Sequence, residues 1–298
     1  MKHGIQLAIW LLLAAAQGCA NAQPFSLVRI DTVNGEMALL QRGATVAPLR
    51  YRAIVLPGSG CAGLAPIAER YFAGLLHGEV WVLHKPGVDA AQWPAPDPCS
   101  PDFIASDAPL NNLAAYESAI RQQVPAASDL PLVLIGISEG AELVPALSQR
   151  LGGAALWVML GNAAQDPAEV GERQAVRLGQ TAAWQRLRTA AASQRPDSQI
   201  IEGRTLAYWR QLFAMRLTDT VQASTIPLLL AYGEQDALIP ADVYANTRAR
   251  LPQRPTPSCV LAQPDADHGL QTPVSDGVQQ VWARVEQHFR GGWACPAP

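Results

Sequence analysis

The chain has 298 residues, 49% of them hydrophobic, with 22 Lys plus Arg against 25 Asp plus Glu and a formal charge of −3. That supply of apolar side chains suits one large core or two modest ones and excludes a chain disordered throughout. The mild acidity, with no Lys or Arg run, excludes the basic field that nucleic-acid binding needs.

Residues 1–22 read as a secretory signal: Lys2 precedes an apolar run over 5–16, and Ala20 and Ala22 flank Asn21 in an A-x-A cleavage site, with cleavage after Ala22. The run is shorter than the ~20 residues of a bilayer span, and no later run approaches that length. Lipidation at Cys19 is the rival processing route; Gly18 suits it, whereas Ala16 is smaller than the usual residue there. The first route places the chain in a secreted or periplasmic space, the second anchors it to a membrane by lipid.

Either space permits disulfides, and Cys61, Cys99, Cys259 and Cys295 remain after the signal. Three pairings exist, and proximity along the chain favours Cys61 with Cys99 and Cys259 with Cys295. Four buried thiols are the alternative. No metal site is expected, because none of the four lies in a C-x-x-C pair or beside a histidine at ligand spacing.

Residues 26–31 and 36–40 predict two strands joined at Asn34-Gly35, a hairpin signal. Strands and helices then alternate. A strand at 53–56 precedes an amphipathic helix carried by Leu64, Ile67, Ala68, Tyr71, Phe72, Leu75 and Leu76, which His77 is expected to close. Strand 80–83, a Pro-rich loop over 93–101, helix 110–123, strand Leu132–Ile137, a helix ending near Gly152-Gly153 and strand 154–160 follow. Residues 165–222 contain no good strand and two helical stretches, one around Val176, Trp184 and Leu187, the other around Leu206, Trp209, Phe213 and Leu217. Strand 228–232, helix 241–251, strand 258–262 and helix 274–289 complete the chain. This alternation predicts a mostly parallel sheet covered on both faces, with ligands outside the carboxyl ends of its strands.

Gly136-Ile137-Ser138-Glu139-Gly140 fits G-x-S-x-G between a strand and a helix, so Ser138 is the expected nucleophile on a sharp turn. The helix start that follows offers the Glu139 amide to a developing oxyanion. A serine hydroxyl needs a base, and the base needs an acid to hold its tautomer. His268, in a polar loop after the last strand, is the best base. His3 leaves with the signal, His288 sits at a helix end, and His84 is expected at a solvent-facing strand end. Asp236, just after strand 228–232, is the expected acid; Glu234, Asp265 and Asp267 compete, and Asp267 could merely orient the histidine loop. Lys85, the only lysine after the signal, is expected at the solvated surface, although it could meet a substrate carboxylate.

The order Ser138, Asp236, His268, with Leu56-Pro57-Gly58-Ser59-Gly60 and Ile239-Pro240, resembles the α/β-hydrolase superfamily from about Ala53 to the C-terminus. The resemblance implies an α/β-hydrolase fold, a mostly parallel sheet flanked by helices, over residues 23–298. It also implies a second oxyanion amide at Ser59, with Gly60 or Cys61 as alternatives, and a helical cap inserted at 165–222. Trp184, Tyr208, Trp209 and Phe213 would then either line an apolar pocket or pack the cap onto the domain. Together these readings describe a serine esterase acting on a small-molecule ester without cofactor. A serine peptidase of the same fold is the alternative, disfavoured because the stretch between Ala22 and Ala53 is short for the extra domain many such peptidases carry. A silent binding protein on the same scaffold is the remaining reading.

Overall fold

A computed structural model describes residues 24–124, 128–292 and 295. The signal segment, with Cys19 and the cleavage site after Ala22, lies outside the described residues. Strands β1 (Ser26–Thr32), β2 (Gly35–Arg42) and β3 (Tyr51–Leu56) lead into helix α1 (Ala65–Tyr71) and strand β4 (Gly78–Leu83). Helices α2 (Pro101–Ser106) and α3 (Pro109–Gln123), strand β5 (Leu132–Ile137), helix α4 (Glu139–Arg150) and strand β6 (Leu156–Leu160) follow. Next come helices α5 (Pro167–Arg177) and α6 (Thr181–Ala191), strands β7 (Ile200–Ile201) and β8 (Arg204–Thr205), and helices α7 (Leu206–Ala214) and α8 (Leu217–Ala223). Strand β9 (Leu228–Gly233), helix α9 (Ala241–Arg250), strand β10 (Ser258–Gln263) and helix α10 (Val278–Arg290) end the fold.

The main sheet has eight strands in the order β1-β2-β4-β3-β5-β6-β9-β10; the β1–β2 and β2–β4 pairs are antiparallel and all others parallel. Every residue of β3, β6 and β9 is buried, as a strand covered on both faces requires. Alternate residues feed opposite cores. Ile54, Leu56 and Leu134 pack with Leu113, Tyr116 and Leu143 from α3 and α4, whereas Ala53, Val55 and Val133 pack with Phe72 beyond α1 and with Val281 and Trp282 from α10. No helix among the described residues is long and apolar enough to cross a membrane.

Four sequence expectations are corrected. The helix predicted from Leu64 to Leu76 stops at Tyr71, because the chain must turn where Gly74 lies against α10; a Cβ there would sit 2.8 Å from that of Trp282. His77 therefore closes no helix. The two helical stretches in 165–222 are four helices: Gly179 (φ 68°) separates α5 from α6, and Met215-Arg216 separates α7 from α8. A strand pair also occurs where none was expected, since Glu202 (φ 50°) and Gly203 (φ 72°) form a two-residue hairpin turn with positive φ at both centres. The last helix begins at Val278 rather than residue 274; Val274 is 94% exposed on a turn set by Thr272 and Ser275.

The cysteines pair as chain proximity favours. Cys61 bonds Cys99 with Cα atoms 6.0 Å apart, and Cys259 bonds Cys295 with Cα atoms 5.3 Å apart. The first bridge fastens the loop after β3 to the Pro-rich loop before α2.

His77 belongs to a buried cluster that ties α10 to β3. The Glu286 carboxylate accepts from the Tyr51 hydroxyl (2.6 Å) and the His77 amide (2.9 Å), and faces His77 Nδ1 at 2.5 Å. Burial pushes the Glu286 pKa up, but these donors outweigh burial and hold it below its ordinary value. A carboxylate with a depressed native pKa stabilises the fold above its unfolded pKa, and that contribution is lost as pH falls through the native value. Glu286→Gln should therefore cost about 2 kcal/mol at pH 7. Urea unfolding should show the gap between wild type and variant narrowing below about pH 4.5.

Candidate active site

Strand β5 delivers Ser138 at its carboxyl end, where the backbone reverses directly into α4. Ser138 has φ 52° and ψ −121°, a left-handed conformation that costs a side-chain-bearing residue of order 1–3 kcal/mol. The surroundings enforce it: the Ser138 N–H donates to the Leu160 carbonyl (2.7 Å), and the Ser138 carbonyl accepts from the Ala141 N–H (3.0 Å) and Asn162 Nδ2 (3.2 Å). Both flanking glycines are steric requirements. A Cβ on Gly136 would lie 2.2 Å from Ala141 Cα, and one on Gly140 would lie 2.4 Å from the Leu56 carbonyl oxygen.

The loops after β9 and β10 bring Asp236 and His268 to this turn. His268 Nε2 lies 2.9 Å from Ser138 Oγ, and Nδ1 lies 2.8 Å from Asp236 Oδ2. In the neutral imidazole this geometry has Nδ1–H donating to Asp236 and Nε2 accepting the serine hydroxyl. Gly161 at the end of β6 permits the approach, since a Cβ there would meet the His268 carbonyl oxygen at 2.7 Å. The Asp236 side chain is 1% exposed. Burial alone would raise its pKa, but His268, the Leu238 amide and the Tyr244 hydroxyl outweigh burial and hold it below the ordinary carboxylate value. Tyr244, which donates at 2.8 Å and stacks flat on Tyr232, is a partner that sequence reasoning missed. Glu234, Asp265 and Asp267 are exposed. Asp267 Oδ1 accepts from the Gly269 and Gln271 amides, so it orders the histidine loop.

Ser138, His268, Ser59 and Glu139 line one cavity of about 220 Å³, to which 165–222 contributes Gln165, Val170, Tyr208 and Leu212. Of the four aromatics flagged in that segment, Tyr208 reaches the cavity; Trp184, Trp209 and Phe213 stack on one another. Glu139 opens α4, so its N–H has no intrahelical acceptor. A larger cavity of about 790 Å³ beside β10 contains none of these groups and lacks a nucleophile–base pair.

Two residues after β4 differ from expectation. His84 is fully buried instead of facing solvent, and it anchors the loop that carries Ser59. Its Nε2 accepts from the Leu64 amide (3.0 Å) and its Nδ1–H donates to the Ala38 carbonyl (3.2 Å). Burial lowers its pKa to about 4, so the neutral tautomer that both bonds require persists at neutral pH. Lys85 is buried rather than solvated, with its ammonium 2.5 Å from Glu139 Oε1 and 3.1 Å from Asp107 Oδ1. Arg204 of β8 also binds Asp107, and the Tyr208 hydroxyl binds Glu139 Oε2. Spacing offered no signal for Asp107 or Arg204, which meet only in three dimensions.

No family model matches the sequence, and no curated protein matches it. The fold nevertheless has close counterparts among solved structures. Est1E from Butyrivibrio proteoclasticus, solved with ferulic acid bound, is 14% identical with a TM-score of 0.59, covering 88% of this chain and 98% of that one. A lipase in its open form is 14% identical with a TM-score of 0.61 (90% and 100% covered). An α/β serine hydrolase without lid from Xanthomonas campestris is 14% identical with a TM-score of 0.53 (93% and 98% covered).

Removing the Lys85 ammonium would leave Glu139 and Asp107 buried with a deficit of positive charge. Lys85→Met should lower stability by about 3 kcal/mol in urea unfolding at pH 7, several times the effect of a surface lysine substitution.

Proposed function

We propose that this chain, which has the α/β-hydrolase fold, is a serine hydrolase of short carboxylic esters. The observation that carries the reading is the hydrogen-bonded chain from Asp236 through His268 to Ser138, with the serine held at φ 52° on the wall of a cavity. Ser138 Oγ attacks the ester carbonyl while His268 Nε2 takes its proton, and Asp236 stabilises the imidazolium. The amides of Glu139 and Ser59 receive the tetrahedral oxyanion. His268 then protonates the leaving alkoxide, and water, activated by the same imidazole, releases the acid and regenerates Ser138.

The small cavity favours short acyl groups. At about 220 Å³ it falls below the volume common for drug-sized ligands. The signal reading of residues 1–22 and the two disulfides support a site of action outside the cytoplasm.

A fluorophosphonate should label the protein at Ser138 and leave Ser138→Ala unlabelled. With p-nitrophenyl esters, acetate and butyrate should be turned over faster than palmitate, and Ser138→Ala or His268→Ala should lower kcat/KM by ~10⁴-fold or more. Labelling that survives in Ser138→Ala, or aminoacyl anilides cleaved faster than esters, would reject the reading.

A further inference from the structure

The ion cluster beside Ser138 has a third acid at its edge. Lys85 and Arg204 balance Asp107 and Glu139, and each of these four has a partner. Glu142, a third acid, pairs directly with neither cation, although Lys85 acts on it from a distance. It lines the same cavity as Ser138 and His268, its Oε2 is buried without a hydrogen-bond partner, and it forms no ion pair among the described residues. It stands four positions after Ser138, in the first turn of α4, whose residues rise ~1.5 Å each.

Glu142 is partly buried, and an unpaired carboxyl oxygen such as its Oε2 is costly away from water. Its position matches a substrate group displaced from the ester carbonyl by a few bonds. The polar lining of the cavity also includes Glu139, Tyr208, Asn162 and Gln165. Asn162 uses one Nδ2–H on the Ser138 carbonyl, and its Oδ1 accepts from the Ala164 amide. The groups facing Glu142 are therefore Lys85, held by Glu139 and Asp107, the Glu139 carboxylate itself, and the Tyr208 hydroxyl already committed to Glu139. Of these Lys85 alone is a cation, and its ammonium is already bound to Glu139 and Asp107.

We infer that Glu142 is a specificity-determining residue that receives a protonated amine of the substrate, so that the preferred esters are cationic and carry an ammonium about three bonds from the carbonyl carbon. This rests on the ester-hydrolase reading. An ammonium at Glu142 favours the ionised carboxylate and forms a charge-assisted hydrogen bond with it. An anionic ester would instead bring a second negative charge beside Glu142 and Glu139. Burial and the neighbouring Glu139 raise the Glu142 pKa, so in the empty pocket the acid holds its proton over a wider pH range and yields it when a cation enters.

The test uses matched esters: ethyl β-alaninate, isosteric ethyl butanoate and monoethyl succinate, with 2-aminoethyl and propyl acetate as the pair carrying the amine on the alcohol side. We expect kcat/KM for at least one ammonium ester to exceed that of its neutral isostere by about tenfold, with monoethyl succinate the poorest substrate. In Glu142→Gln the ammonium-to-neutral ratio should fall to about one; because the ratio is taken on one preparation, partial misfolding cancels. In wild type the ratio should also rise with pH as Glu142 ionises, and the variant should lack that rise. A flat ratio near one in both pairs, or a preference that Glu142→Gln retains, overturns the inference while Ser138-dependent hydrolysis of ethyl butanoate leaves the hydrolase reading standing. If no ester is hydrolysed, calorimetry of ethyl β-alaninate against ethyl butanoate on wild type and Glu142→Gln still decides it: Glu142-dependent binding of the cation supports the inference, and equal binding rejects it.

Discussion

The backbone of Ser138 is the constraint around which the structure is arranged. A non-glycine residue at φ 52° persists only where its surroundings over-determine it. Here three parallel strands supply them: β5 carries the turn, β6 fixes the Ser138 amide through Leu160, and β3 crosses so close that position 140 has no room for a Cβ. The same crowding recurs at Gly161 and Gly233, where the ends of β6 and β9 meet the loop carrying His268. Close packing of strand ends thus sets the 2.8 and 2.9 Å spacings, and the all-apolar strands behind them provide the rigidity.

A second layer of organisation is electrostatic. Residues 165–222 reach the core through Arg204 and Tyr208, which bind Asp107 and Glu139, the two acids that also hold Lys85. The lysine is thus the hub between the sheet, helix α4 and residues 165–222. Buried pairs of this kind contribute little net stability against apolar packing, but breaking one partner is costly, so they fix geometry more than they add free energy.

Elements governed by local pattern were legible in the sequence. Strand Leu132–Ile137 and the glycines at 136 and 140 declare the turn because apolar run, glycine and serine all act within nine residues of chain. Asp236 and His268 followed from their positions after strands, and the cysteine pairing from proximity. What was not legible depended on side chains meeting across the fold. Lys85 and His84 look like polar residues at a strand end, and only the arrival of α4, β8 and the Ser59 loop buries them. Likewise Glu202-Gly203 carries a hairpin turn, but flanking strands of two residues are too short to show alternation. Tyr244 carries no signal in the sequence, because only the packing of α9 against the loop after β9 brings its hydroxyl to Asp236.

The placement of Glu139 unites these two layers. A carboxylate next to Ser138 would oppose any anion forming at the helix start, because its negative charge lies within the first turn whose N–H dipoles favour negative ligands. In the proposed acyl transfer the Glu139 amide must donate to an oxyanion while its own side chain does no harm. The structure meets this requirement by drawing the carboxylate into the ammonium of Lys85 and the hydroxyl of Tyr208, so that the charge is compensated away from the amide. A lysine is suited to this because its compact ammonium offers three donors and can serve Glu139 and Asp107 at once. Glu142, one turn further along α4, has no ion pair of its own among the described residues, so burial and the neighbouring Glu139 raise its pKa where Glu139 is held by Lys85 and Tyr208.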